Sequence, residues 1–204
     1  MIYSAIKNGV MQSLPTLVIF GVALIAVRIA YLKNHHDTFR FYEEFWSLLS
    51  ILYMILLYQM VTGVEDNVIS GVNLIPFKEI MRYELNSELF YYNVVGNIAL
   101  FIPFGYIIAS YIKPKRVWTN MVLAIIVSTT TELVQLNIGR SFDIDDIILN
   151  TIGCIVGFLL YVGFKAICRH LPGFFKKNWF KNLICIIIGS CIVIYILNVM
   201  GIYA

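Results

Sequence analysis

The stretch IILNTIGCIVGFLLYVGFKAI, residues 147–167, decides the fold class. Over 21 residues it carries one charge, Lys165. About 20 mostly apolar residues in a helix cross the hydrocarbon of a bilayer. Stretches of the same kind occupy residues 14–32, 45–62, 91–112, 117–136 and 183–203. Composition agrees, because 60% of the 204 residues are hydrophobic and 13% are charged. Soluble domains run near half apolar and about a quarter charged. A mean hydropathy of +0.81 points the same way. The expected fold is therefore all-α: a polytopic integral membrane helix bundle of about six transmembrane helices, forming one domain over residues 1–204. Six spans leave no room for a soluble enzyme domain, and nucleic-acid binding drops out with it. The first span is too long and too poorly led by cations to read as a cleaved signal peptide, so it is expected to be retained.

Lysine and arginine placement orients the chain. The links after the first, third and fifth spans hold 11 cations and 3 carboxylates, whereas the opposite face holds 4 cations and 9 carboxylates. Basic links stay in the cytoplasm, so both termini are expected outside. Lys113-Pro114-Lys115-Arg116 makes a tight basic turn. Trp46, Trp118 and Trp179 open the even-numbered spans, at headgroup level. Cys154, Cys168, Cys185 and Cys191 form no CxxC pair or zinc-ligand spacing and read as small apolar fillers.

Polar groups in hydrocarbon are costly and therefore informative. Glu132 and Gln135 share a face of the fourth span, followed by Arg140, Asp143, Asp145 and Asp146 in a short outer loop. Asp146 and Asn150 lie four apart, and Gly153 and Gly157 continue that stripe as a GxxxG pair that lets helices approach closely. Asn93 and Asn97 are similarly spaced at the outer end of the third span. Pro103 is expected to kink that span. The segment 63–90 contains Asn73-Leu74-Ile75-Pro76-Phe77 in extended or turn form; residues 77–88 then fit either a short interfacial helix or a loop covering the bundle.

The order NLIPF (residues 73–77), NIALFIPFG (97–105), Glu132 with Gln135, Arg140 to Asp146, then NTIG (150–153) with Gly157 resembles the VanZ-like family of small bacterial membrane proteins. The resemblance covers residues 73–161, with two preceding helices (14–62) and an additional C-terminal one (183–203) outside it. It implies a multi-pass protein of the bacterial plasma membrane. The family's namesake is associated with low-level resistance to teicoplanin, a glycopeptide with a fatty-acyl tail. No established chemistry comes with the family, so the motif residues carry over without roles.

Glu132 reads two ways: as a proton acceptor, metal ligand or headgroup anchor, or as a structural partner of Arg140, Gln135, Asn97 or Asn150. Arg140 is that partner or a clamp for a ligand phosphate or carboxylate. Asp143, Asp145 and Asp146 are weak candidates for a divalent cation; one of Asp145 and Asp146 is the better candidate for capping the fifth helix. Asn73, Asn93, Asn97 and Asn150 read as interhelical hydrogen-bond glue. His35 and His36 read as solvated, and no catalytic triad order, HExxH, P-loop or GxSxG is present.

Three functions compete. One is a non-enzymatic outer-leaflet factor that binds an amphiphile, such as an acylated antibiotic or a lipid-linked wall precursor, among membrane lipids. Another is an intramembrane enzyme on a lipid or polyprenyl phosphate, with Glu132 and Asp146 as the catalytic candidates. The third is a small transporter or flippase. Oligomeric state stays open.

Overall fold

A computed structural model describes residues 2–35, 38–62 and 71–199. Six of its helices are long and apolar enough to cross a membrane. They are α1 (Ile2–His35), α2 (Phe41–Thr62), α3 (Glu88–Ile112), α4 (Trp118–Asn137), α5 (Ile144–His170) and α6 (Asn178–Val199). Each expected span lies on one of them. The ends differ: α1 begins a dozen residues earlier than its apolar stretch, and the last residues expected in the sixth span fall outside the described ones. Helical hydrogen bonds continue past the apolar residues wherever the backbone stays α, so hydropathy alone sets the ends poorly.

The chain forms two compact units. Among the described residues, 3–59 and 167–199 make one. There, Arg28 clamps Glu44 through two bonds of 2.7 and 2.8 Å. Gly21 leaves the backbone of α1 open to Leu52, and Lys181 Nζ lies 4.6 Å over the Tyr42 ring. His35 bonds the Tyr31 carbonyl and stacks on its ring, while His36 lies outside the described residues. Cys185 is buried but Cys191 is exposed, so the filler reading fails for Cys191. A thiol on a helix face without a packing neighbour simply meets whatever surrounds the helix.

Residues 60–166 make the other unit, with α3, α4 and most of α5. Its spine is a close approach of α3 to α5. A Cβ on Gly153 would overlap the Ile98 carbonyl oxygen, and one on Gly157 would overlap that of Ile102. From the other side, a Cβ on Gly105 would overlap the Cys154 carbonyl oxygen. Three glycines thus let two backbones touch, as GxxxG spacing allows. α4 joins them through Asn120, which is fully buried and donates to the Gly105 carbonyl at 2.9 Å. Cys154 Sγ in turn donates to the Asn120 carbonyl at 3.5 Å. Cys154 is therefore a hydrogen-bonded member of the joint as well as a filler.

In the region 71–90 the structure takes the loop, not the interfacial helix, of the two readings of residues 77–88. Residues 77–88 hold one 3-10 turn, Ile80–Arg82, and no interfacial helix forms. Phe77 adopts φ 66 and Asn86 φ 70, and two left-handed residues interrupt the helical backbone. The segment instead begins with β1 (Val72–Asn73), which pairs in parallel with β2 (Phe142–Asp143). α3 also differs: its residues Tyr91–Val95 form a π-helical turn. The extra residue in that turn rotates Asn93 relative to Asn97. Asn93 bonds the Leu89 carbonyl of its own helix, so the expected Asn93/Asn97 pair does not form.

Candidate functional site

The site stands at the acidic end of the second unit, and the local sequence explains how. α4 stops at Gly139, whose φ of 90 suits glycine. Arg140 N–H bonds the Gln135 carbonyl at 2.9 Å and Gly139 N–H bonds the Leu136 carbonyl at 3.2 Å. This is the Schellman stop, which turns the chain sharply back over the helix end. Only Ser141 and β2 then separate Arg140 from α5. Asp143 accepts the Asp145 N–H at 2.9 Å, which makes it the N-cap of α5. The capping carboxylate is thus Asp143, not Asp145 or Asp146. A cap must stand one residue before the first helical one, and Ile144 is that first residue.

Glu132 lies on α4 five residues before its end, about 7 Å in by helical rise. Its exposure is 1%. Oε2 accepts the Asp143 N–H at 2.8 Å. Asp143, Asp146 and Arg140 lie within electrostatic reach of it. Asp146 accepts from Asn97 Nδ2, which brings α3 into the site. One turn deeper, Asn150 donates to Ser128 at 2.8 Å between α5 and α4. Asn150 is buried, and its Oδ1 has no hydrogen-bond partner. Gln135 is buried on the same face of α4 as Glu132.

Asp145 is directed elsewhere. Its buried carboxylate accepts from the backbone N–H groups of Phe77, Glu79 (2.8 Å) and Ile80 (3.2 Å). Three converging amides of a turn form a small anion cradle, here filled by the protein's own carboxylate. They also hold Phe77 in its left-handed conformation, which costs about 1–2 kcal/mol in a non-glycine residue. Asn73 likewise serves the loop rather than a helix pair. Its Nδ2 donates to Asp143 Oδ1 at 2.9 Å, and its Oδ1 accepts the Ile75 N–H at 3.3 Å. With β1–β2 pairing, segment 71–80 is strapped to the start of α5.

The three aspartates therefore face three partners: the α5 cap, the strap and α3. Among the described residues, no group of three His, Cys, Asp or Glu side chains is arranged to hold a metal ion. Asp143, Asp145 and Asp146, the weak candidates for a divalent cation, instead accept from backbone amides and from Asn73 and Asn97. Burial holds the Asp143 carboxyl above the ordinary carboxylate range, opposed by the Asp145 N–H and by Asn73.

Of the residues singled out from sequence, Asn97, Glu132, Arg140, Asp143 and Asp146 come together. Gln135 and Asn150 line the α4 and α5 faces beneath, Asn73 and Asp145 secure the strap, and Asn93 stands apart. Three residues were missed. Asn120 and Ser128 continue the Glu132 face at intervals of four, with Ala124 between them, and all are buried. That spacing is visible in the sequence once Glu132 is taken as the start of a stripe rather than as a single residue. Tyr83, just after the 3-10 turn Ile80–Arg82, is the third. Burial raises its phenol pKa, and Glu79, Asp146 and Asp143 push it the same way. Nothing in its sequence neighbourhood marks it.

A family model described as VanZ/LLP1 matches residues 45–168, more than half of the chain, so the chain belongs to the VanZ/LLP1 family. The match reaches back beyond residue 73 to take in most of α2. No curated protein matches, and no solved structure does.

Proposed function

We propose, from membership of the VanZ/LLP1 family and from the polar site at the acidic end, that this multi-pass membrane protein binds an amphiphile in the outer leaflet of the bacterial plasma membrane. By doing so it contributes to low-level resistance to acylated glycopeptides such as teicoplanin. The observation that carries this reading is Glu132, a carboxylate with 1% exposure about a turn and a half inside a membrane-spanning helix. Intramembrane carboxylates are expensive and mark functional sites by default. Asp146, Asn97 and Arg140 beside it are half-buried, so the site opens toward the helix ends. Charge placement directs that end outward. An amphiphile is the ligand class that reaches such a depth, with its tail among lipid chains and its head among the polar groups.

The direct test compares susceptibility to a lipid-tailed and a tail-less glycopeptide, with and without the gene. Protection confined to the tailed compound is expected. Equal protection against both would remove tail binding.

A second reading has its own observation. Glu132 and Asp146 are two acidic groups within electrostatic reach of each other, a pattern that suits acid–base work on a lipid or polyprenyl phosphate. Lipid profiles of cells carrying wild-type and Glu132→Ala protein decide it. A species that accumulates only with the variant is expected from an enzyme, and identical profiles count against one.

A further inference from the structure

The chain carries charge of one sign beyond the start of α5. Asp146 is the last aspartate or glutamate in the sequence, yet Lys165, Arg169, Lys176, Lys177 and Lys181 follow it. All but Lys165 belong to the unit that also holds α1 and α2. That unit offers them few anions. Its described carboxylates are Glu43 and Glu44, and arginines already hold both, Arg40 at 3.0 Å and Arg28 at 2.7 Å. Lys181 lies within electrostatic reach of Glu43 and over the Tyr42 ring. Lys176 Nζ donates to the Arg169 carbonyl at 3.3 Å, which ties the 3-10 turn Gly173–Lys176 to the end of α5. The first turn of α6 carries no acidic residue, although that end of a helix favours one. Arg169, Lys176 and Lys177 are exposed.

Aromatic rings alternate with these cations. Phe174 and Trp179 pack edge to face at 4.8 Å while staying 47% and 50% exposed. Along α6, Leu183, Ile186 and Ile187 continue the exposed apolar surface. Cations and interfacial rings at the mouth of an apolar helix face fit a phosphate head joined to acyl chains. We propose that the turn between α5 and α6, with Arg169, Lys176, Lys177 and Lys181, is a docking site for an anionic phospholipid. Arginine and lysine donate to the phosphate oxygens, and the chains lie along Phe174, Trp179 and the face of α6. A zwitterionic lipid brings its own cation to the same place and gains less.

The test incubates the full-length protein in mild detergent with equimolar phosphatidylglycerol and phosphatidylcholine, and counts bound lipid by native mass spectrometry. Retention of phosphatidylglycerol about ten-fold above phosphatidylcholine is expected. Arg169→Gln with Lys177→Gln should bring the ratio close to one. Lys115→Gln with Arg116→Gln removes the same charges from another exposed basic turn and should leave it unchanged. Excess inorganic phosphate should not displace the lipid. Wild-type protein provides a check that needs no variant: raising ammonium acetate from about 0.05 to about 0.5 M should lower the ratio, because salt screens surface charge. Equal retention of the two lipids, or a ratio indifferent to salt, would overturn the proposal. So would an equal fall in both double variants, which would mean attraction to net charge. Displacement by inorganic phosphate would overturn it too, leaving an ion site in place of a lipid site.

Discussion

Asp145 is the residue whose role differs most from its setting in the sequence. A carboxylate in the first turn of a helix favours the positive end of the dipole, and a capping role follows naturally. Instead it binds three amides of a segment more than sixty residues earlier. Asp145→Ala should leave three part-buried N–H groups without their acceptor, each at the low end of the about 1–3 kcal/mol that a fully buried group costs, because water reaches them. The strap should then open more often. Limited trypsin cleavage after the exposed Lys78 and Arg82 is expected to speed up about ten-fold, because proteolysis follows the open population. An unchanged rate would show that β1–β2 pairing and Asn73 suffice.

Asp143 supplies a pH-dependent expectation at the same scale. Burial raises its carboxyl, so the folded protein holds that proton more tightly than the unfolded chain. Its contribution is fully present below the unfolded pKa of about 4 and is lost as pH rises through the folded value. Asp143→Asn keeps an oxygen that can accept from Asp145 and removes the titration. The gain in thermal stability as pH falls toward 4 should be smaller in the variant than in wild type, measured in detergent solution. Equal gains would place the titration elsewhere.

At the level of elements, the α3–α5 contact limits what substitutions the unit tolerates. Gly157→Leu places a side chain where the Ile102 carbonyl lies, and no rotamer avoids a clash with backbone. Loss of monodisperse protein after extraction is expected. Gly163→Ala, with nothing within 4 Å of the added Cβ, should behave as wild type. The same elements show what a single chain makes legible. The six spans were readable because about 20 apolar residues are a physical requirement for crossing lipid. The glycine stripe on α5 was readable because a helical repeat fixes which residues share a face. Asn93 was misplaced because a π turn changes that repeat locally, and no residue type announces it. The β1–β2 pair was invisible because two residues carry no periodicity and their partners are 70 positions away. The long stripe from Asn120 to Glu132 lay in plain view at a spacing of four, yet Ser and Asn in a span each look like ordinary glue when taken singly.

For the whole molecule, orientation links structure to role. Within residues 60–166 the basic link Lys113-Pro114-Lys115-Arg116 follows α3, and the site lies at the other end of α3 and α4. Single cysteines introduced at Lys78 and at Lys115, in a background with the four native cysteines replaced by serine, should differ in intact cells. A membrane-impermeant maleimide is expected to label the first and not the second. The reverse pattern would turn the site toward the cytoplasm and take the antibiotic out of its reach.

The central claim is that Glu132, Arg140 and Asp146 act on a ligand rather than merely hold helices together. The most direct measurement replaces each with alanine and follows teicoplanin susceptibility together with the amount of protein in the membrane. The account expects protection to fall to that of cells lacking the gene while membrane abundance stays at the wild-type level. Protection that falls only in step with abundance would contradict it and return all three residues to a structural role.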